Sequence, residues 1–157
     1  MSERIIFHLD ELANDLSKLW TGPPKGKCII ANGCFDILHP GHLSLLAHLD
    51  TIAYLERLRP VVAINSDSSI KLLKGDSRPI VPQQVRASLL ISLKWPFTVI
   101  IFDEQSPQRL MDLLQPEIVL KGSEYDGKDV IRWKDSRVVT VGMFDGWSTT
   151  NIVKENS

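Results

Sequence analysis

Only two cysteines, Cys28 and Cys34, occur in the 157 residues. Two are too few for a disulfide framework, and both read as free thiols. No stretch approaches the ~18 consecutive apolar residues of a membrane span. Met1 to Asp10 carries two acidic residues and no long apolar run, unlike a secretory signal, so a cytoplasmic location is expected. Charge of one sign is also lacking: 18 Lys and Arg stand against 19 Asp and Glu, a net charge of −1. That balance excludes a general affinity for nucleic acid or for an anionic membrane, and leaves room only for local anion binding. Nine glycines and nine prolines are scattered as punctuation and gather in no linker, and neither a repeat nor a low-complexity tract occurs. With 43% apolar residues the chain can bury one core. The expected organisation is a single domain over residues 1–157, in which residues 1–26 form an N-terminal helical extension packed on the rest.

What is present alternates. β-type runs rich in Val and Ile stand at Lys27 to Asn32, Pro60 to Asn65, Phe97 to Asp103, Glu117 to Lys121 and Arg137 to Gly142. Helix-type segments lie between them. Leu45, Leu46, Leu49, Ile52 and Ala53 share one helical face, and Val85, Leu89, Leu90 and Leu93 another. Ser106 and Pro107 announce a third helix carrying Leu110, Met111 and Leu114. A further helix is expected from about Leu9 to Trp20. This alternation predicts right-handed βαβ units and a doubly wound, Rossmann-like α/β domain with a parallel five-stranded sheet. Ligands of such sheets bind beyond the carboxyl ends of the strands. The loops to inspect are therefore Gly33 to His42, Ser66 to Lys74, Gly122 to Gly127 and Met143 to Thr150.

The first of these, Asn32-Gly33-Cys34-Phe35-Asp36-Ile37-Leu38-His39-Pro40-Gly41-His42, opens directly into an amphipathic helix. Two imidazoles thus meet the positive end of a helix, where free N–H groups favour an anion and Gly41 permits close approach. A zinc site from Cys28, Cys34, His39 and His42 is a rival, although their spacing is not that of common structural zinc motifs. The second loop holds Asp67, Lys71, Lys74 and Arg78, with Arg86 on the helix beyond it. From Ser66 to Trp95 five basic and two acidic residues give a local charge of +3. Polyphosphate is its natural counter-charge; a solvated basic face is the alternative. Near the C-terminus Gly146-Trp147-Ser148-Thr149-Thr150 begins a short terminal helix, whose hydroxyls suit either phosphate oxygens or plain capping.

Paired carboxylates and a Ser/His/Asp set are missing from these loops. Together they point to nucleotidyl transfer with a phosphate monoester as the attacking group. Such a nucleophile is already anionic at neutral pH and needs charge stabilisation and in-line positioning rather than a strong base.

On these residues the chain resembles the cytidylyltransferase-like branch of the nucleotidylyltransferases, marked by His-x-Gly-His and a late Ser-Thr-Thr. Within it the chain is most similar to the nucleotidyltransferase domain of bifunctional ADP-heptose synthesis enzymes. The likeness runs through Asn32 to His42, Lys71 to Gly75 with Arg78-Pro79, Ser106 to Leu110, Lys121-Gly122, and Asp145 to Ile152. It implies transfer of AMP from ATP to a sugar 1-phosphate such as D-glycero-β-D-manno-heptose 1-phosphate, with Mg²⁺ held mainly by the phosphates. His39 and His42 would stabilise the α-phosphate, and Lys71 or Lys74 would hold substrate phosphates. Asn32, Gly33, Cys34, Phe35, Gly41, Arg86, Lys121, Gly122, Gly146, Ser148 and Thr149 would bind the nucleotide. Asp36, Asp67, Arg78 and Tyr125 would serve the acceptor, with Asp36 alternatively orienting its loop. A homodimer is implied, and any heptose kinase activity would belong to another chain.

The chain departs from the family pattern at Ser123-Glu124, where Gly-Asp is usual, at Leu45 in place of Tyr, and at Met143 where glycerol-3-phosphate cytidylyltransferases carry Arg. The alternatives are a cytidylyltransferase using CTP and glycerol 3-phosphate or a related polyol phosphate, and a non-catalytic nucleotide-binding regulatory subunit. A class I aminoacyl-tRNA synthetase shares the two-histidine turn, but the chain is too short for an anticodon-binding domain and lacks the charge for tRNA.

Overall fold

Six strands form the sheet, not five. In this computed structural model, which describes residues 6–19, 27–142 and 148–157, the sheet comprises β1 (Ile6–His8), β2 (Cys28–Gly33), β3 (Arg59–Asn65), β4 (Thr98–Phe102), β5 (Ile118–Gly122) and β6 (Arg137–Val141). All neighbours pair in parallel, in the order β1-β4-β3-β2-β5-β6. The additional strand is only three residues long and pairs with Val99 to Ile101 at the sheet edge. A run that short shows no period in sequence, and so the N-terminal segment read as wholly helical. The strand leads into α1 (Leu9–Asn14) and a 3₁₀ turn (Leu16–Lys18) rather than into one helix reaching Trp20. Asp15 separates them: it is extended, and its carboxylate accepts hydrogen bonds from the N–H and hydroxyl of Ser17, restarting the chain as a tighter turn.

The remaining helices are α2 (Pro40–Glu56), α3 (Asp67–Lys74), α4 (Gln83–Ser92), α5 (Gln108–Leu114) and α6 (Thr149–Glu155). One of these, α3, occupies most of the stretch expected as the second loop. Ser66 caps it by accepting from Ser69 N–H, and Ile70 anchors it in the core.

Successive strand residues point to opposite faces, and the core divides accordingly. On one face Ile29, Ala31, Val62, Ile64, Val99 and Ile101 pack against Leu45, Leu46, Leu49 and Ala53 of α2 and Ala87 and Leu90 of α4. On the other Cys28, Ile30, Val61, Ala63 and Ile100 meet Leu9 and Leu12 of α1 and Leu110, Met111 and Leu114 of α5. The apolar face expected on α2 is the one buried. On α4 the buried face is Arg86, Ala87 and Leu90, and Leu93 just beyond the helix packs against the same core, while Val85 and Leu89 are exposed; half of the expected stripe packs inward, and the rest is displaced because a buried position holds the charged Arg86.

Leu46 is fully buried and Leu55, on the same helix, is 71% exposed. Leu46→Ala should lower unfolding free energy by about 2–5 kcal/mol, and Leu55→Ala should change it by no more than about 0.5 kcal/mol. Denaturant unfolding of the two variants measures both, and equal effects would contradict the packing described.

Candidate active site

The chain leaves β2 toward β3 and β4 on one side and returns to β5 and β6 on the other. The strand order therefore reverses between β2 and β5, and a crevice opens there at their carboxyl ends. A cavity of about 430 Å³ lies at this point. Its walls come from the end of β2 and the loop after it (Asn32 to Asp36), His39 and His42 of α2, Lys74 of α3, Lys121 and Gly122 of β5, Tyr125, and Ser148 and Thr149 at the start of α6.

The turn that carries the histidines is tightly specified. Phe35 takes a left-handed backbone (φ 47°), uncommon for a residue with a side chain. Its ring packs over Gly33, where a Cβ would come within 3.3 Å of it. His39 is then the cap of α2, with Pro40 in the first turn: its Nδ1 accepts from the N–H groups of Gly41 (3.1 Å) and His42 (3.4 Å). An Nδ1 that accepts carries no proton, so neutral His39 holds its proton on Nε2 as a free donor. His42 stacks on it with ring centroids 3.7 Å apart and also meets the Phe35 ring, tilted, at 4.9 Å. Burial lowers the pKa of His39 below the usual imidazole range. It lowers that of His42 to about 4, with repulsion from His39 and Lys74 adding to the effect against the opposing Ile37 backbone and Asp36. Both rings are neutral donors at pH 7, not fixed cations.

Asp36 and Arg86 hold this turn from behind. The buried Asp36 carboxylate accepts from Arg78 Nε (2.8 Å) and from the N–H groups of Ile80 and Val81 (3.0 and 2.8 Å). Burial acts to raise its pKa, but these three donors outweigh burial and keep the carboxyl below its usual range. Arg86 is 1% exposed. Its guanidinium donates to the carbonyls of Val81 (2.9 Å), Cys34 (2.7 Å) and Asn65 (2.8 Å) and to Asp67 Oδ1 (2.8 Å). Asp67 also accepts from Gln83 N–H, and Gln83 Oε1 accepts from Asp67 N–H. Val81 is thereby gripped at both ends of its backbone.

These contacts sort the expected site residues. Asn32, Gly33, Cys34, Phe35, Asp36, His39, His42, Lys74, Lys121, Gly122, Tyr125, Ser148 and Thr149 converge on one cavity. Lys71 does not: it is exposed on α3, outside the lining. Arg86, expected to support polyphosphate, is enclosed by protein acceptors, and Asp67 and Arg78, expected on the acceptor, are its neighbours in the scaffold. Gly41 contributes its N–H to the His39 cap, and Gly146 lies outside the described residues. Cys28 belongs to the core under the sheet, where burial pushes its thiol up to about 12, so it cannot join Cys34 and the histidines around zinc. Missed were Asn65, Leu73, Phe102, Gln105, Pro107, Glu124 and Thr150, which also line the cavity. Gln105 and Pro107 come after the carboxyl end of β4, so the rule that selected the other loops applies to theirs as well.

The chain matches the Cytidylyltransferase-like family over residues 30–152. It belongs to that family. Among curated relatives it is 44% identical over 156 residues to the bifunctional protein HldE of Campylobacter fetus, covering 98% of this chain and 31% of that protein. It is 40% identical over 136 residues to HldE of Syntrophotalea carbinolica, covering 83% and 27%. The chain thus spans about a third or less of the relatives it matches. Among solved structures, a lipopolysaccharide core biosynthesis protein from Thermoplasma volcanium aligns with TM-score 0.54 at 23% identity, over 74% of this chain and 97% of that one. A macrolide-efflux protein from Streptococcus pneumoniae aligns with TM-score 0.61 at 19% identity, over 85% and 52%. Both show a shared fold. As a cytidylyltransferase-like protein, the chain is a nucleotidyltransferase.

In this nucleotidyltransferase Arg86→Met should cost about 3 kcal/mol or more, because Asp67 and three carbonyls lose their donor. Chemical denaturation would reveal it; unchanged stability with only a raised KM would return Arg86 to the substrate.

The depressed pKa of His42 has a definite sign: between pH 6.5 and about 4 the unfolded chain holds the proton that the folded chain refuses. The stability it contributes is complete above pH 6.5 and is lost as pH falls through about 4. His42→Gln should flatten the stability–pH curve in that window, and an unchanged slope would contradict the buried neutral ring.

Proposed function

We propose that the chain transfers AMP from ATP to a sugar 1-phosphate, with D-glycero-β-D-manno-heptose 1-phosphate as the acceptor the family likeness favours. The observation that carries this reading is the pair of neutral, stacked histidines at the head of α2, facing a cavity that also receives Lys74, Lys121 and the hydroxyls of Ser148 and Thr149.

On this reading an anionic oxygen of the sugar phosphate attacks the α-phosphorus of ATP. The new P–O bond forms as the bond to the oxygen bridging α and β breaks, and pyrophosphate leaves with its electron pair; no proton need be removed. The His39 Nε2–H and the His42 ring donate to the α-phosphate oxygens, on which charge grows in the transition state. Lys74 and Lys121 offset charge on the polyphosphate. Ser148 Oγ accepts from Asn151 N–H, and Thr149 Oγ1 from Ile37 N–H at 3.4 Å, which leaves each hydroxyl proton free to donate to a phosphate oxygen. The second of these bonds also ties the start of α6 to the histidine turn.

Mg²⁺ would supply further charge stabilisation. The described residues contain no group of three or more His, Cys, Asp or Glu placed to hold it, and the Asp36 carboxylate is taken up by Arg78 and two N–H groups. The donors present fit an ion carried on the phosphates of the nucleotide rather than one caged by protein.

Pyrophosphate release tests the reading. Each nucleoside triphosphate is crossed with a panel of sugar 1-phosphates and polyol phosphates in the presence of Mg²⁺. ATP with a heptose 1-phosphate should release it; CTP with glycerol 3-phosphate as the only productive pair would transfer the mechanism to a cytidylyltransferase, and no release with any pair would refute catalysis. His39→Ala and His42→Ala should lower kcat by about 10²–10³-fold with the fold intact. Near-normal turnover in either would remove that ring from the transition state.

A further inference from the structure

Lys121 is placed unlike the other cations of the site. It stands near the carboxyl end of β5, in register with Thr140 of β6, and is 8% exposed although it lines the cavity. Its Nζ donates to Asn32 Oδ1 at 2.8 Å, across the crevice at the end of β2, and lies 4.9 Å from the centre of the Tyr125 ring. Asn32 is neutral and an aromatic face offers only a weak counter-charge. A buried ammonium without a paired anion is costly, and the cost falls when an anion enters the cavity.

Among the described residues, the groups around Lys121 do not supply that anion. Glu124, on the turn after β5, is exposed; its charge favours the ammonium but does not match the effect of burial, which lowers the pKa of Lys121 to about 8. Burial first, then Glu124 and Cys34, raises the pKa of the Tyr125 phenol, so that ring is neutral as well. Lys128, on the same ring at 5.8 Å, is a second cation, not a partner. From the head of α2 the cavity receives the neutral rings of His39 and His42, from α3 Lys74, and from the start of α6, among the described residues, the hydroxyls of Ser148, Thr149 and Thr150. Asp36, the carboxylate contributed by the loop after β2, is already engaged by Arg78 and by the N–H groups of Ile80 and Val81. Among the described residues, then, Lys74 and Lys128 oppose a proton on Lys121, the imidazoles and hydroxyls are neutral, and Glu124 alone favours it.

We propose that Lys121 is a phosphate-contacting residue that acquires its proton as the nucleotide binds, so that nucleotide binding at mildly alkaline pH takes up a proton at Nζ. The inference rests on the nucleotidyl-transfer reading and adds to it a charge that is completed by the substrate. The proton comes from solvent, and no covalent bond changes. Before binding, the cavity floor avoids a full uncompensated charge; after binding, the ammonium sits against phosphate oxygens where it can act on the leaving pyrophosphate.

Calorimetry of ATP and of CTP binding with Mg²⁺ at pH 8.5, in buffers of different ionisation enthalpy, counts the protons exchanged. At this pH a terminal phosphate, with its second pKa of about 6, brings no proton of its own. The intact chain should take up about half a proton or more per nucleotide bound. Lys121→Arg, charged at all relevant pH values, should bind with uptake near zero. Lys121→Met, close in volume, should bind about tenfold or more weakly, also without uptake. Thermal unfolding of both variants confirms that each is folded, and either alone suffices. Tight binding by the intact chain without proton uptake overturns this inference and leaves nucleotidyl transfer standing. Uptake that persists in the variants assigns the proton to the histidines and also overturns it. Failure of both nucleotides to bind overturns the inference together with the reading beneath it.

Discussion

The buried guanidinium of Arg86 is the interaction on which the site depends. One planar group donates to the carbonyl of Cys34 after β2, to that of Asn65 at the end of β3, to that of Val81 before α4, and to the Asp67 carboxylate at the start of α3. Three separate stretches of chain are fixed relative to one another by a fork whose geometry is rigid. A lysine at this position would offer one point charge and could not reproduce it. Asp36 completes the arrangement, with its carboxylate on Arg78 and on two consecutive N–H groups. Charges buried in this way are tolerated because each has partners in place, and the same property makes removing one of them disruptive.

Fixing the loops in this way decides the electrostatics of the cavity. The buried charges of Asp36 and Arg86 are satisfied within the protein and do not stand in the cavity as free ions. What lines the cavity, beside Glu124, is a set of donors: the Nε2–H of His39, the His42 ring, hydroxyls at the start of α6, and two lysines. Preorganised donors need no reorientation as charge develops on phosphorus, and this is where such a site gains over water. On the proposed reading, transfer to an acceptor that is already anionic calls for no base, which agrees with two histidines held neutral and with the Asp36 carboxylate engaged by Arg78 and two N–H groups.

Much of this was legible in the sequence where a period or a cap announced it. The runs of Val and Ile located five strands, the turn residues separated them, and the rule that ligands bind beyond the carboxyl ends of strands selected the loops Gly33 to His42 and Gly122 to Gly127, which do line the cavity. The failures share a cause: sequence displays charge but not burial. Arg86 and Asp67 look like polyphosphate and acceptor ligands because they lie in a basic stretch, and only the fold shows Arg86 enclosed by carbonyls. The same buried Arg86 shifted the apparent apolar stripe of α4 onto Val85 and Leu89. Lys71 and Lys74 stand three apart on α3, yet only Lys74 lines the cavity. Ile6 to His8 escaped notice because three residues at a sheet edge carry no period of their own.

The site therefore combines a rigid charged scaffold with a pair of neutral imidazoles, and the tautomer of His39 is where the two meet. Nitrogen-15 NMR of the histidine rings, tracked through a pH titration of the free protein, reads that state directly. At pH 7 both His39 and His42 should be neutral, with the His39 proton on Nε2 and its Nδ1 a hydrogen-bond acceptor. Imidazolium signals for either ring at pH 7, or a His39 proton on Nδ1, would contradict a site built around a preorganised pair of neutral histidines.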